Sequence, residues 1–88
     1  MLRITKIFED DLTMTLRLDG KIVGATAAGL EGAYRQYRNG GSKTLSLDFS
    51  GVTFIDGDGL AMLKKIKARG VALVNGSPFI ESLLGLNE

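Results

Sequence analysis

Residues 48–63 read DFSGVTFIDGDGLAML. The stretch opens as an apolar strand, and from Leu60 it takes on an apolar helical pattern. Between the two, Asp56 and Asp58 alternate with Gly57 and Gly59. A strand that passes through a short glycine-containing turn into a helix is the building unit of α/β proteins, and that turn is where such folds place ligands. The helix entrance offers unpaired N–H groups and a partial positive charge, so a negative group is stabilised there. The spacing predicts Asp58 as the N-cap, with Gly57 and Gly59 letting the backbone turn tightly beside it.

Working back from this stretch, KTLSLDFS alternates, with Leu45, Leu47 and Phe49 on one face. Before it, ATAAGLEGAYRQYRNGG places Ala27, Leu30, Tyr34 and Tyr37 at helical spacing. Thr26 is the expected cap and Asn39-Gly40-Gly41 the expected stop. Gly29 and Gly32, inside that helix, suggest close packing on a sheet. LRITKIF and LTMTLRLDG read as two strands joined by a short acidic turn, an antiparallel hairpin. In the second strand Leu12, Met14, Leu16 and Leu18 are expected on one face. Gly20 is expected to end it, leaving KIVG as a short extended piece.

Working forward, GLAMLKKIKARG predicts a helix burying Leu60, Leu63 and Ile66, with its lysines in water and its late cations suited to the C-terminus. VALVN reads as a covered strand. In GSPFIESLLGL, Ser77 caps, Pro78 takes the first helical position, and Phe79, Ile80, Leu83 and Leu84 are expected to bury. The order is β-β-(β)-α-β-α-β-α, a single α/β domain over residues 1–88, with a parallel sheet from its right-handed crossovers.

The chain has 88 residues, enough for one small core, and is 44% hydrophobic and 24% charged. A formal charge of +1 supplies no broad field for nucleic acid or an anionic membrane. Cysteine and histidine are absent. That excludes disulfides and thiol catalysis, and removes the commonest general base and transition-metal ligand. No apolar run reaches the roughly 20 residues that span a bilayer. The N-terminus has no signal-peptide core. A cytoplasmic protein without cofactor or membrane insertion is expected. The stretch RQYRNGGSK mixes basic and aromatic residues. It reads as Tyr34 and Tyr37 packing while Arg35 and Arg38 face water, and not as a nucleic-acid site.

Other chemistry at the turn is weaker. Asp48, Asp56 and Asp58 are too few for a hard cation that wants six or more oxygens. A phosphate would meet carboxylates, and the G-x-x-x-x-G-K-[ST] pattern is missing. No nucleophile or oxyanion donors accompany Asp56 and Asp58, so a small enzyme or ligand-binding protein built on that pair is the least supported reading. Ser50 reads as a turn-stabilising residue and Thr53 as a connector.

Three separated motifs carry a resemblance to a known family. They are Gly20-Lys21-Ile22 after the second strand, Asp48 to Val52 at a strand end, and Phe54-Ile55-Asp56-Gly57-Asp58-Gly59-Leu60. In this order they resemble the STAS domain, the fold of bacterial anti-anti-sigma factors, over nearly the whole chain. The resemblance implies a mixed sheet with helices packed to one side, and a short member of the family. It also implies a non-enzymatic binding module that docks on an anti-sigma or switch kinase of the GHKL type and is released when a serine or threonine is phosphorylated. That residue is the second hydroxyl of a D-S-[ST]-G pattern, and Asp58 stands in its place. Gly57 stands in the place of the first. Val23 stands where many members carry an acidic residue tied to partner and nucleotide contacts.

Aspartate brings one charge and two oxygens where phosphoserine brings about −1.5 to −2 and three. Asp58 therefore implies a permanent phosphorylated-like state or departure from the phosphoswitch. The expected contact surface is Thr53, Asp56, Gly57, Asp58, Gly59 and Met62. The alternative implied by the resemblance is a structural subunit bound to the ATPase of an ABC lipid transporter. An apolar sheet edge could also pair two copies as a homodimer.

Overall fold

The computed structural model describes residues 2–39 and 43–85. Its elements are β1 (Leu2–Glu9), β2 (Thr13–Ile22), α1 (Gly24–Asn39), β3 (Thr44–Ile55), α2 (Gly57–Ala68), β4 (Ala72–Val74) and α3 (Pro78–Leu84). The sheet order is β1-β2-β3-β4. β1 pairs antiparallel with β2, while β3 runs parallel to β2 and β4 parallel to β3. The sheet is therefore mixed, with a hairpin on one side and two crossovers on the other.

Two expectations about element limits change. The short piece after Gly20 is not a separate element, because β2 continues through Ile22. Gly20 has φ 113° and the register with β3 shifts there, so the strand bends without ending. Thr26 is not the cap of α1, which begins at Gly24. Its hydroxyl reaches back instead, accepting the Val23 N–H at 3.0 Å and donating to the Lys21 carbonyl at 2.9 Å. The expected stop at Gly40-Gly41 and the side chain of Arg38 lie outside the described residues.

Alternation builds the core. Met14, Leu16 and Leu18 of β2 and Leu45, Leu47 and Phe49 of β3 are buried, and Leu30, Tyr34, Leu63, Ile66, Ile80 and Leu84 from the three helices meet them. Each fully buried side chain of this size contributes about 1.5–3 kcal/mol by leaving water. On the strands' other face Thr13, Thr15 and Ser46 are half-buried, and Arg17 and Thr44 are exposed. That contrast is why the helices pack on one side.

Four positions depart from the expected burial. Leu12 is 76% exposed. The Asp10 carboxylate accepts the N–H groups of Leu12 and Thr13, a local turn that holds Leu12 out of the strand. Phe79 is 71% exposed, since α3 turns only Ile80 and Leu84 fully inward. Leu60 and Leu83 are half-buried. Gly29 and Gly32 face open space with nothing within 4 Å of an added Cβ, so close packing on the sheet does not explain them.

A candidate docking site where two helices begin

β3 delivers the chain to the start of α2 beside the start of α1. Asp56 has extended backbone (φ −92°, ψ −177°) and is the N-cap of α2. One carboxylate oxygen accepts the Gly59 N–H at 2.7 Å, and the other accepts the Gly24 N–H at 3.2 Å. Gly24 is the first residue of α1. A single carboxylate thus satisfies orphan donors of two helices, and the Asp56 N–H donates to the Ile22 carbonyl at 3.1 Å. β2, α1, β3 and α2 are tied together at this one residue.

Gly59 explains the glycine in that turn. A Cβ there would lie 2.2 Å from the Ile22 carbonyl oxygen and 2.9 Å from its carbon. Only glycine lets the first turn of α2 sit on the end of β2. Gly59 is accordingly buried.

The expected assignment of Asp58 as N-cap is corrected here. A cap residue takes extended backbone and reaches the N–H three residues on, which Asp56 does for Gly59. Asp58 lies inside the first turn of α2 and is exposed. Its carboxylate lies against the start of α1, 3.0 Å from where a Gly24 Cβ would stand. Two helix N-termini therefore flank the carboxylate of an exposed residue, a favourable place for negative charge.

Of the other expected contact residues, Thr53 and Gly57 are exposed and Met62 is half-buried against the core. The Thr53 hydroxyl donates to the Gly20 carbonyl at 3.2 Å. Phe54 was missed. It is 51% exposed beside the turn while its neighbour Ile55 is buried. The signal was available: adjacent strand residues point to opposite faces, so both could not enter one core.

Asp48 serves elsewhere. It is 8% exposed, and its oxygens accept the Ser50 N–H at 2.8 Å and the Asn75 side-chain amide at 3.2 Å. The Ser50 N–H holds its carboxyl below the usual range against the opposing effect of burial, helped by Asn75 and the Arg17 charge. This pins β3 to the β4–α3 turn, where Asn75 has φ 60°. With Asp48 and Asp56 both engaged, Asp58 is the open carboxylate of the three, and among the described residues no three such side chains gather around a common point. At the far end of the sheet Lys43 and then Lys6 hold the Glu9 carboxyl down to about 2, at 2.5 and 2.8 Å. In α1, Tyr34 is buried with Arg69 over its ring at 6.0 Å, and Arg35 pairs with Glu31 at 2.9 Å.

A mixed four-stranded sheet with three helices, entered at one end by a carboxylate-bearing strand-to-helix turn, defines the class of protein. Residues 7–84 match the family model described as MlaB, STAS domain, and the chain belongs to the STAS domain family. In three dimensions it is similar to the anti-sigma factor antagonist SpoIIAA in its unphosphorylated form, with a TM-score of 0.70 at 17% identity, covering 97% of this chain and 84% of that one. It is also similar to part of Mglu in its native form in 4.3 M NaCl, with a TM-score of 0.55 and 17% identity over 92% of this chain and 27% of that one. These likenesses are of fold. No curated protein sequence matches the chain. Among the described residues no helix is long and apolar enough to cross a membrane.

Proposed function

We propose that residues 1–88 act as one non-enzymatic docking module of the anti-sigma factor antagonist type, working in the cytoplasm, whose contact surface is the β3–α2 turn and the exposed start of α2. Thr53, Phe54, Gly57 and Asp58 present that surface. Asp56 and Gly59 hold it in place, and Met62 borders it. The partner on this reading is a GHKL-type switch kinase. The single observation that carries it is the exposed Asp58 in the first turn of α2. In the resembling family that position carries the phosphate that ends binding. A genetically built-in charge there makes one state permanent.

A second reading is favoured by one feature of the same turn. Neither position 57 nor position 58 carries a hydroxyl, so neither offers a serine/threonine kinase its phosphoacceptor. A subunit that stays bound to the ATPase of an ABC transporter needs no toggle.

Calorimetric titration against a GHKL kinase and against an ABC ATPase, each chosen from the genomic neighbourhood where one is encoded there, separates the two. Binding to the kinase, strengthened about tenfold or more when Asp58→Ser removes the built-in charge, supports the first reading, a change of about 1.4 kcal/mol or more. Binding to the ATPase alone supports the second. Binding to neither contradicts both.

A further inference from the structure

The end of the molecule opposite the Asp56–Asp58 turn carries two surfaces that the docking reading does not use. One is the tip of the β1–β2 hairpin. Ile7 is 50% exposed, Phe8 51% and Leu12 76%, all within the stretch 7–12. Three exposed apolar side chains on one short hairpin end are an unusual apolar load for a solvated tip. Asp10 and Asp11 stand in the same turn. The Asp10 carboxylate is engaged by the turn's own N–H groups, so Asp11 carries the outward charge.

The other surface is a groove of about 540 Å³ between the C-terminal halves of α2 and α3, bordered by Lys64, Lys67, Ala68, Leu83 and Leu84. Ala68, Leu83 and Leu84 give it apolar lining beside two lysines, of which Lys67 also donates to the Leu84 carbonyl at 3.5 Å and Lys64 stands exposed. Helices that connect parallel strands run back against them, so α2 ends at the end of the sheet where β2 and β3 begin. α3 follows β4 and runs back in the same way. The hairpin tip, immediately before β2, lies at that end too.

We propose that this end is a self-association surface, in which the hairpin tip of each copy seats in the α2–α3 groove of a second copy. An apolar tip bearing an acid meets an apolar groove bearing two lysines. Both halves of the contact lie on one end of one chain, so a single two-fold axis fills both grooves and closes the assembly. Strand addition along β1 fits less well, because the register shift between Lys6 and Phe8 interrupts that edge. The docking turn, at the other end, stays free in such a dimer.

Sedimentation equilibrium over a wide concentration range tests this. The wild-type mass is expected to rise toward twice the monomer's, and less so at high salt. Leu12→Asp, at an exposed position that the fold does not need, raises the dissociation constant at least about tenfold. Asp11→Lys and Lys64→Glu each weaken association, and the two together in one chain recover most of it. Phe79→Ser, equally apolar and exposed but at the start of α3, leaves the mass unchanged. A wild type that stays monomeric throughout overturns the proposal. So does a double variant no better than its singles, or a dimer lost with Phe79→Ser and kept with Leu12→Asp.

Discussion

The turn from β3 into α2 and the turn from β4 into α3 are made from similar parts and do different work. Each ends a parallel strand, and each caps its helix with a short side chain that accepts an N–H three residues on, Asp56 from Gly59 and Ser77 from Ile80. The β4–α3 cap stops there. The β3–α2 cap has a second oxygen, and that oxygen holds the start of α1. The glycines differ in the same sense. Gly59 lies against the backbone of Ile22, whereas the three atoms nearest a Gly76 Cβ belong to side chains, with Ile80 Cγ2 first at 3.1 Å. One turn is a junction of four elements and the other a local stop. A surface presented by the first rests on a residue bonded to four elements.

Glycine exchange breaks this contrast most strongly. Gly59→Ala should destabilise the fold by about 3 kcal/mol or more, since overpacking against backbone outweighs the roughly 1 kcal/mol that alanine gains in a helix. Gly76→Ala should change stability by no more than about 1 kcal/mol, because flexible side-chain atoms can give way. Urea unfolding of both variants measures the difference, and equal effects would remove the distinction between the turns.

The caps come next. Asp56→Ala should lose about 2 kcal/mol, roughly one for the cap and one for the bond to Gly24. Ser77→Ala should lose about 1 kcal/mol. Amide exchange sharpens this: Asp56→Ala should speed exchange at Gly24 as well as Gly59, while Ser77→Ala should act at Ile80 alone.

Much of the fold was legible in the chain because alternation and helical spacing report burial directly. Leu45, Leu47 and Phe49 buried as read, and Ser77-Pro78 opened α3 as read. The turn's chemistry was less legible. In Asp-Gly-Asp-Gly either aspartate can cap by local rules. What selects Asp56 is the approach of Ile22, a neighbour 37 positions before Gly59 in the sequence. Leu12 and Phe79 continued apolar patterns, but the Asp10 turn and the pitch of α3 set them outside. Nothing in the sequence around Gly20 distinguishes a strand's end from a bend within it.

Smaller effects belong to the surface. Asp58→Asn should alter stability by no more than about 0.5 kcal/mol, the value of an exposed charge near a helix start. Its larger effect should fall on partner affinity, the reverse of the balance expected for Asp56. Smallest is the pH response at the far end of the sheet. Glu9 titrates at about 2, below its ordinary 4.5, so its stabilising contribution is complete above the ordinary value and is lost as pH falls through 2. An NMR titration should find that midpoint, and Lys43→Ala should move it upward.

The most direct test of a built-in charge compares wild type with Asp58→Ser against the GHKL kinase, with and without ATP, following both phosphate incorporation and binding. Wild type should take up no phosphate and bind with one affinity whether or not ATP is present. Asp58→Ser should bind with a different affinity when unmodified, and shift toward the wild-type value once phosphorylated. Equal binding by wild type and unmodified Asp58→Ser, or phosphorylation of the wild-type chain, would contradict the account.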